Sequence, residues 1–123
     1  MAKVTGIGGV FIKAKGDHKA LSAWYQNHLG IDVQSWGSAV FHWKDDPNPT
    51  EAATAWMVHS PDSEKFKPTE AGVIINYRVD DVMGIVENLK KAGIKVNGPD
   101  KSEYGTFAWV TDPEGNRVEL WQQ

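Results

Sequence analysis

Cysteine is absent from this sequence, so it holds no disulfide framework, no thiolate metal site and no thiol nucleophile. An excess of positive charge is also missing. The 13 Lys and Arg residues against 16 Asp and Glu give a net charge of -3, which leaves no electrostatic footprint for nucleic acid or for an anionic membrane surface. Long apolar runs are lacking too. The first candidate, residues 4–12, is interrupted by glycines and followed by Lys13, too short for a membrane span and poor as a signal peptide. A soluble, cytoplasmic protein with no nucleic-acid or membrane partner is therefore expected. What the chain has in quantity is aromatic side chains: six Trp, three Tyr and four Phe in 123 residues. Such side chains fill cores, and they also line pockets for flat or apolar ligands.

The chain repeats itself. Displaced by 63 positions, Val10, Ile12, Asp17, Gly30, Ile31 and Val33 fall on Val73, Ile75, Asp80, Gly93, Ile94 and Val96, and Lys15 falls on Arg78. Each copy opens with an apolar strand, residues 6–14 and 72–79, that ends at an acid suited to cap a helix. Leu21, Trp24, Tyr25 and His28 then recur at i, i+3, i+4, i+7, as do Val82, Ile85, Val86 and Leu89, so both helices bury one face. Gly30 and Gly93 stand where a left-handed stop is needed. Strand-like segments follow at 32–36, 38–44 and 53–59 in the first copy, and at 95–96, 105–111 and 117–121 in the second. The sequence "DPEGN" forms the last hairpin turn. The expectation is one α+β domain over 1–123, made of two β-α-β-β-β modules at 5–59 and 72–123 joined by a polar linker at 60–71. That linker suits a flap over a cleft and a solvated connection equally.

That order, with "AWYQNHLGI" in the first copy and "VDDV", "LKKAGI" and "TDPEGNRVEL" in the second, resembles the vicinal oxygen chelate superfamily of glyoxalases, bleomycin-resistance proteins, fosfomycin-resistance enzymes and extradiol dioxygenases. The resemblance runs over nearly the whole chain. It implies paired curved sheets around a cleft, a homodimer, and in the family's enzymes a divalent metal held by residues of the first and last strand of each module. The four positions that carry over are Gly9, Trp56, Ile74 and Glu119. Glycine, indole and an aliphatic side chain offer no lone pair, so Glu119 is the one donor, and no metal or other cofactor is expected. A site built from Glu119 with His42 or His59 is the alternative route to a metal.

Alternation along the strands indicates which side chains face the cleft. Val73, Ile75, Tyr77 and Val79, with Val118 and Leu120, form the helix-facing set. The opposite set is Phe11, Lys13, Trp56, Ile74, Asn76, Arg78, Arg117, Glu119 and Trp121, with Trp109 or Phe107 possible additions. This mix of apolar rings and a few directed polar groups is that of a small-molecule pocket. Glu119 is the candidate general base. In its plain structural role it pairs with Arg117 or Arg78, since a partly buried carboxylate needs such a partner. Three functions are open: a metal-independent binder of a small aromatic or cationic molecule, a metal-dependent lyase, isomerase or dioxygenase, and a non-catalytic interaction module.

Overall fold

Two acidic side chains start the two helices of the structure, a computed structural model that describes residues 2–123. Asp17 Oδ1 accepts from the backbone N–H groups of Lys19 and Ala20 at 3.0 and 3.1 Å and opens α1 (His18–Leu29). Asp81 Oδ1 accepts from Gly84 N at 3.0 Å and opens α2 (Val82–Lys91), so the cap falls one residue beyond the repeat position Asp80. These bonds satisfy amide groups that the first helical turn leaves without a partner. Past the helix ends, Gly30 and Gly93 take positive φ angles of 70° and 78°. No helix among the described residues is long and apolar enough to cross a membrane.

The second half builds a four-stranded sheet from β1 (Ile75–Arg78), β2 (Val96–Ser102), β3 (Gly105–Thr111) and β4 (Arg117–Gln122), in the order β1-β4-β3-β2. The β1/β4 pair is parallel and the other two are antiparallel. Both helices contribute to the core on one face of this sheet. Leu21 and Tyr25 of α1 and Val82, Val86 and Leu89 of α2 are buried with Ala108, Val110, Val118 and Leu120. Burying each of the larger aliphatic side chains contributes about 1.5–3 kcal/mol. The helix-facing parity expected for β4 is observed at Val118 and Leu120, and for β1 at Tyr77 and Val79, which pack against the same cluster, whereas Val73, ahead of β1, is 72% exposed and joins no core.

The first half is different. The mixed α+β class holds, but the chain forms one sheet with two helices, and the segments 6–14, 32–36, 38–44 and 53–59 run without strand pairing. A strand is held by backbone bonds to a neighbouring strand, and none of these segments has one among the described residues. Most of their large apolar side chains stand in solvent, Phe11 at 96% exposed and Trp56 at 77%, while Ala14 packs against the core.

Two Asp-Pro turns fasten the halves to each other. Asp46 Oδ1 accepts from Asn48 N at 2.9 Å, and Asp112 Oδ1 accepts from Glu114 N at 2.8 Å, the same turn in each half. The first turn holds Arg78, whose Nε and Nη2 reach the Asp46 carboxylate at 3.1 and 3.2 Å. The second holds Lys15 and Gly16, whose backbone N–H groups donate to the Glu114 carboxylate at 2.6 and 3.3 Å. Lys15 and Arg78 are equivalent in the repeat, so each turn grips the same position of the opposite half. Asp112 adds a buried tie: its oxygens accept from Tyr25 Oη at 2.6 Å, Asn116 Nδ2 at 2.7 Å and the amides of Glu114 and Asn116. Burial, and then the bond to Asp112, push the Tyr25 hydroxyl well above its ordinary pKa.

Candidate functional site

The register of the sheet arranges its outer face, the side away from the helices, in two cross-strand rows. Asn76, Glu119, Trp109 and Asn97 form the first, and Arg78, Trp121 and Phe107 the second. The aromatic members lie parallel. Phe107 and Trp121 have ring centroids 6.0 Å apart at 4°, and Phe107 and Trp109 are 6.4 Å apart at 13°. Both indole N–H groups are used internally: Trp109 Nε1 donates to Glu119 Oε2 at 2.7 Å and Trp121 Nε1 to the Tyr104 carbonyl at 2.8 Å. The rings therefore offer π surface and no free donor.

Glu119 is held otherwise than its neighbours in sequence suggest. Its Oε1 accepts from Asn76 Nδ2 at 2.6 Å and its Oε2 from Trp109, and neither arginine forms an ion pair with it. Arg78 is taken by Asp46, by Gln123 Oε1 at 2.7 Å and by the face of Trp121, 5.3 Å from its centroid. The Arg78 pairing holds the Asp46 carboxyl below its ordinary pKa. Arg117 donates instead to Thr111 Oγ1 at 3.3 Å and Asn97 Oδ1 at 3.0 Å, and its Nε is buried with no partner among the described residues. Burial pushes the pKa of this guanidinium down.

The structure thus brings together Asn76, Arg78, Trp109, Arg117, Glu119 and Trp121, with Ile74 half-buried beside the start of β1. Phe11, Lys13 and Trp56 are exposed in the irregular first half and join neither row. Phe107 completes the set of parallel rings, and its parity with Trp109 is the signal that identifies it. Asn97 and Asp46 gave no such signal. Their roles depend on the β2 register and on a contact across 32 residues of chain. At one end of the face the linker turns in, and Glu64, Lys65 and Lys67 border an open depression of about 260 Å³ with Trp109 and Arg117. Another depression of about 420 Å³ lies between the helices near His28, Asp80 and Asn88.

These residues do not fit the divalent metal of the resembling enzymes. Both Glu119 oxygens already accept hydrogen bonds, and its three companion positions are Gly9, Trp56 and Ile74. Among the described residues no three His, Cys, Asp or Glu side chains group closely enough to hold an ion. His59 instead approaches Ser63 Oγ at 3.4 Å and lies edge-on to Phe66.

Two solved structures that align over most of the chain share this fold, and a third matches a shorter stretch. An integron cassette protein from the mobile metagenome of the Halifax Harbour sewage outfall aligns over 98% of this chain and 100% of its own, at 16% identity and a TM-score of 0.57. TnmS3, an antibiotic binding protein from Streptomyces sp. CB03234, aligns over 87% of both chains at 20% identity and a TM-score of 0.52. A glyoxalase/bleomycin resistance protein from the same Streptomyces is 35% identical, over 39% of this chain and 42% of that one, at a TM-score of 0.38. No curated protein matches significantly. Residues 11–120 match the family model of the Glyoxalase/Bleomycin resistance protein/Dioxygenase superfamily, and the chain belongs to that superfamily.

Proposed function

We propose that this chain binds a small aromatic molecule on the outer face of its sheet without the help of a metal. The observation that carries this reading is the set of parallel rings Trp109, Phe107 and Trp121, spanning the two rows, beside a carboxylate already held by two N–H donors. Such a surface offers stacking area and fixed polar edges, and no activated nucleophile or free general base. That TnmS3, which shares the fold, is an antibiotic binding protein supports the same direction. Titration of the purified protein with a panel of flat aromatic compounds is expected to quench Trp fluorescence. Trp109→Phe should remove most of the response, and chelator should leave it unchanged. No quenching across a broad panel, or near-stoichiometric bound metal by elemental analysis, would overturn the reading.

The binding form is proposed to be a homodimer. Val40, Phe41, Trp43, Met57 and Val58 are 68–77% exposed in segments that repeat the pattern of paired strands in the second half. So many exposed large apolar side chains suit an interface, and a second copy supplies strands of matching pattern. Phe11, Lys13 and Trp56 belong to these segments, so a partner chain is the route by which they reach a binding face. In this reading the linker forms the rim of the site beside Arg117.

A further inference from the structure

We infer that the molecule bound on the outer face is a flat aromatic compound with two polar ends, a hydrogen-bond donor at the end toward β1 and an acceptor at the end toward β2. The inference rests on the aromatic-face reading and deepens it from a ring to a ring of stated length and polarity.

Two asparagines carry it. Asn76 and Asn97 close the two ends of the row that holds Glu119 and Trp109, one on each edge strand of the sheet. An asparagine amide donates from one side and accepts on the other, and its partner decides which way it turns. Asn76 faces a carboxylate, which can only accept, so its Nδ2 donates to Glu119 Oε1 at 2.6 Å and its Oδ1 is left over as an acceptor. Asn97 faces a guanidinium, which can only donate, so its Oδ1 accepts from Arg117 Nη2 at 3.0 Å and its Nδ2 is left over as a donor. Reversing either amide would set oxygen against oxygen or N–H against N–H, so both directions are locked. Neither leftover atom has a hydrogen-bond partner among the described residues, and both asparagines are exposed, within reach of a ligand.

The sheet sets the length. The row crosses three gaps of about 4.8 Å between strands, and with a hydrogen bond of about 2.9 Å at either end this leaves about 8–9 Å between the ligand's two polar atoms. That is the separation across a naphthalene substituted at its 2 and 6 positions. Between the ends the ring lies over Trp109, whose N–H is spent on Glu119, and beside Phe107, so the middle of the ligand meets only π surface. Amides already turned the right way need little ordering when the ligand arrives.

Three probes of one shape test it on the full chain. They are 2-acetyl-6-hydroxynaphthalene, its methyl ether, which lacks the donor, and 2-ethyl-6-hydroxynaphthalene, which lacks the acceptor. Binding is followed by the Trp109 indole N–H and the Asn97 side-chain NH₂ signals in proton–nitrogen NMR spectra. The hydroxy ketone should bind about three- to tenfold tighter than either relative, the range that one hydrogen bond to a neutral group allows. The Asn97 NH₂ signals should move with the two ketones and stay in place with the ethyl compound. Asn97→Asp keeps an oxygen for Arg117 and turns the free donor into an acceptor. In that variant the ketone's advantage over the ethyl compound should vanish while the hydroxyl's advantage over the ether persists, a split that a merely structural role for Asn97 does not produce. Equal binding of the three probes by the wild-type protein, or an unchanged ketone advantage in the variant, overturns the two-ended assignment while leaving the aromatic face in place. No binding by any probe overturns both.

Discussion

Glu119 has the choice of two arginines and takes neither. Asn76 and Trp109 stand beside it in the same cross-strand row, so two rigid N–H donors reach its oxygens at 2.6 and 2.7 Å. A carboxylate in this position acts as a brace between β1, β4 and β3. Glu119→Gln keeps the shape but leaves one acceptor where there were two, so either Asn76 or the Trp109 indole must face an amide NH₂. The expected cost is about 1 kcal/mol, reduced from the charge-assisted range because the site is partly exposed. It should appear as a lower urea midpoint with a displaced Trp109 N–H resonance. An unchanged midpoint would mean that the carboxylate contributes nothing to holding the sheet.

At the scale of elements, the hairpin turn after β3 does more than reverse the chain. Asp112 is 4% exposed and accepts four hydrogen bonds, one of them from the middle of α1. Tyr25→Phe removes the donor but leaves the ring in the core, and is expected to cost about 1–2 kcal/mol. Asp112→Ala strands several buried donors and should cost more, about 3 kcal/mol. The pH dependence has a definite sign. A hydroxyl whose folded pKa is raised contributes stability that is complete below its unfolded value of about 10 and lost as pH rises toward the folded one. Wild-type protein should therefore weaken in alkali. The Tyr25→Phe variant should show a shallower alkaline slope, with a remainder from Tyr77, whose pKa burial also raises. Equal slopes for the two proteins in chemical denaturation, measured from about pH 9 to about pH 11 around the tyrosine range, would refute this account.

For the whole molecule, the second half was legible from its own residues. The α2 periodicity, the β3 and β4 segments and the outward parity of Asn76, Arg78, Glu119 and Trp121 follow from local alternation, which the core then enforces. Salt-bridge choice was not legible, since Arg78 finds Asp46 only after the turn at Asp46 has been carried to the end of β1. Nor was the state of the first-half strands, whose pattern is apolar but whose pairing depends on a surface distant in sequence. The dimer proposal meets its test here. Light scattering on a sized column should give twice the 13.6 kDa chain mass. Phe41→Glu should shift the species toward monomer and reduce ligand binding with it. A wild-type monomer at tens of micromolar that still binds aromatic compounds would show that one chain suffices.

The tie from Tyr25 and Lys15 to the turn at residues 112–116 also bears on covalent continuity. It runs from near one terminus to near the other and makes no use of the connection at residues 60–71. A backbone cut in that connection breaks none of these contacts, so the two fragments are expected to co-elute on a sizing column after limited proteolysis, and their separation would refute this.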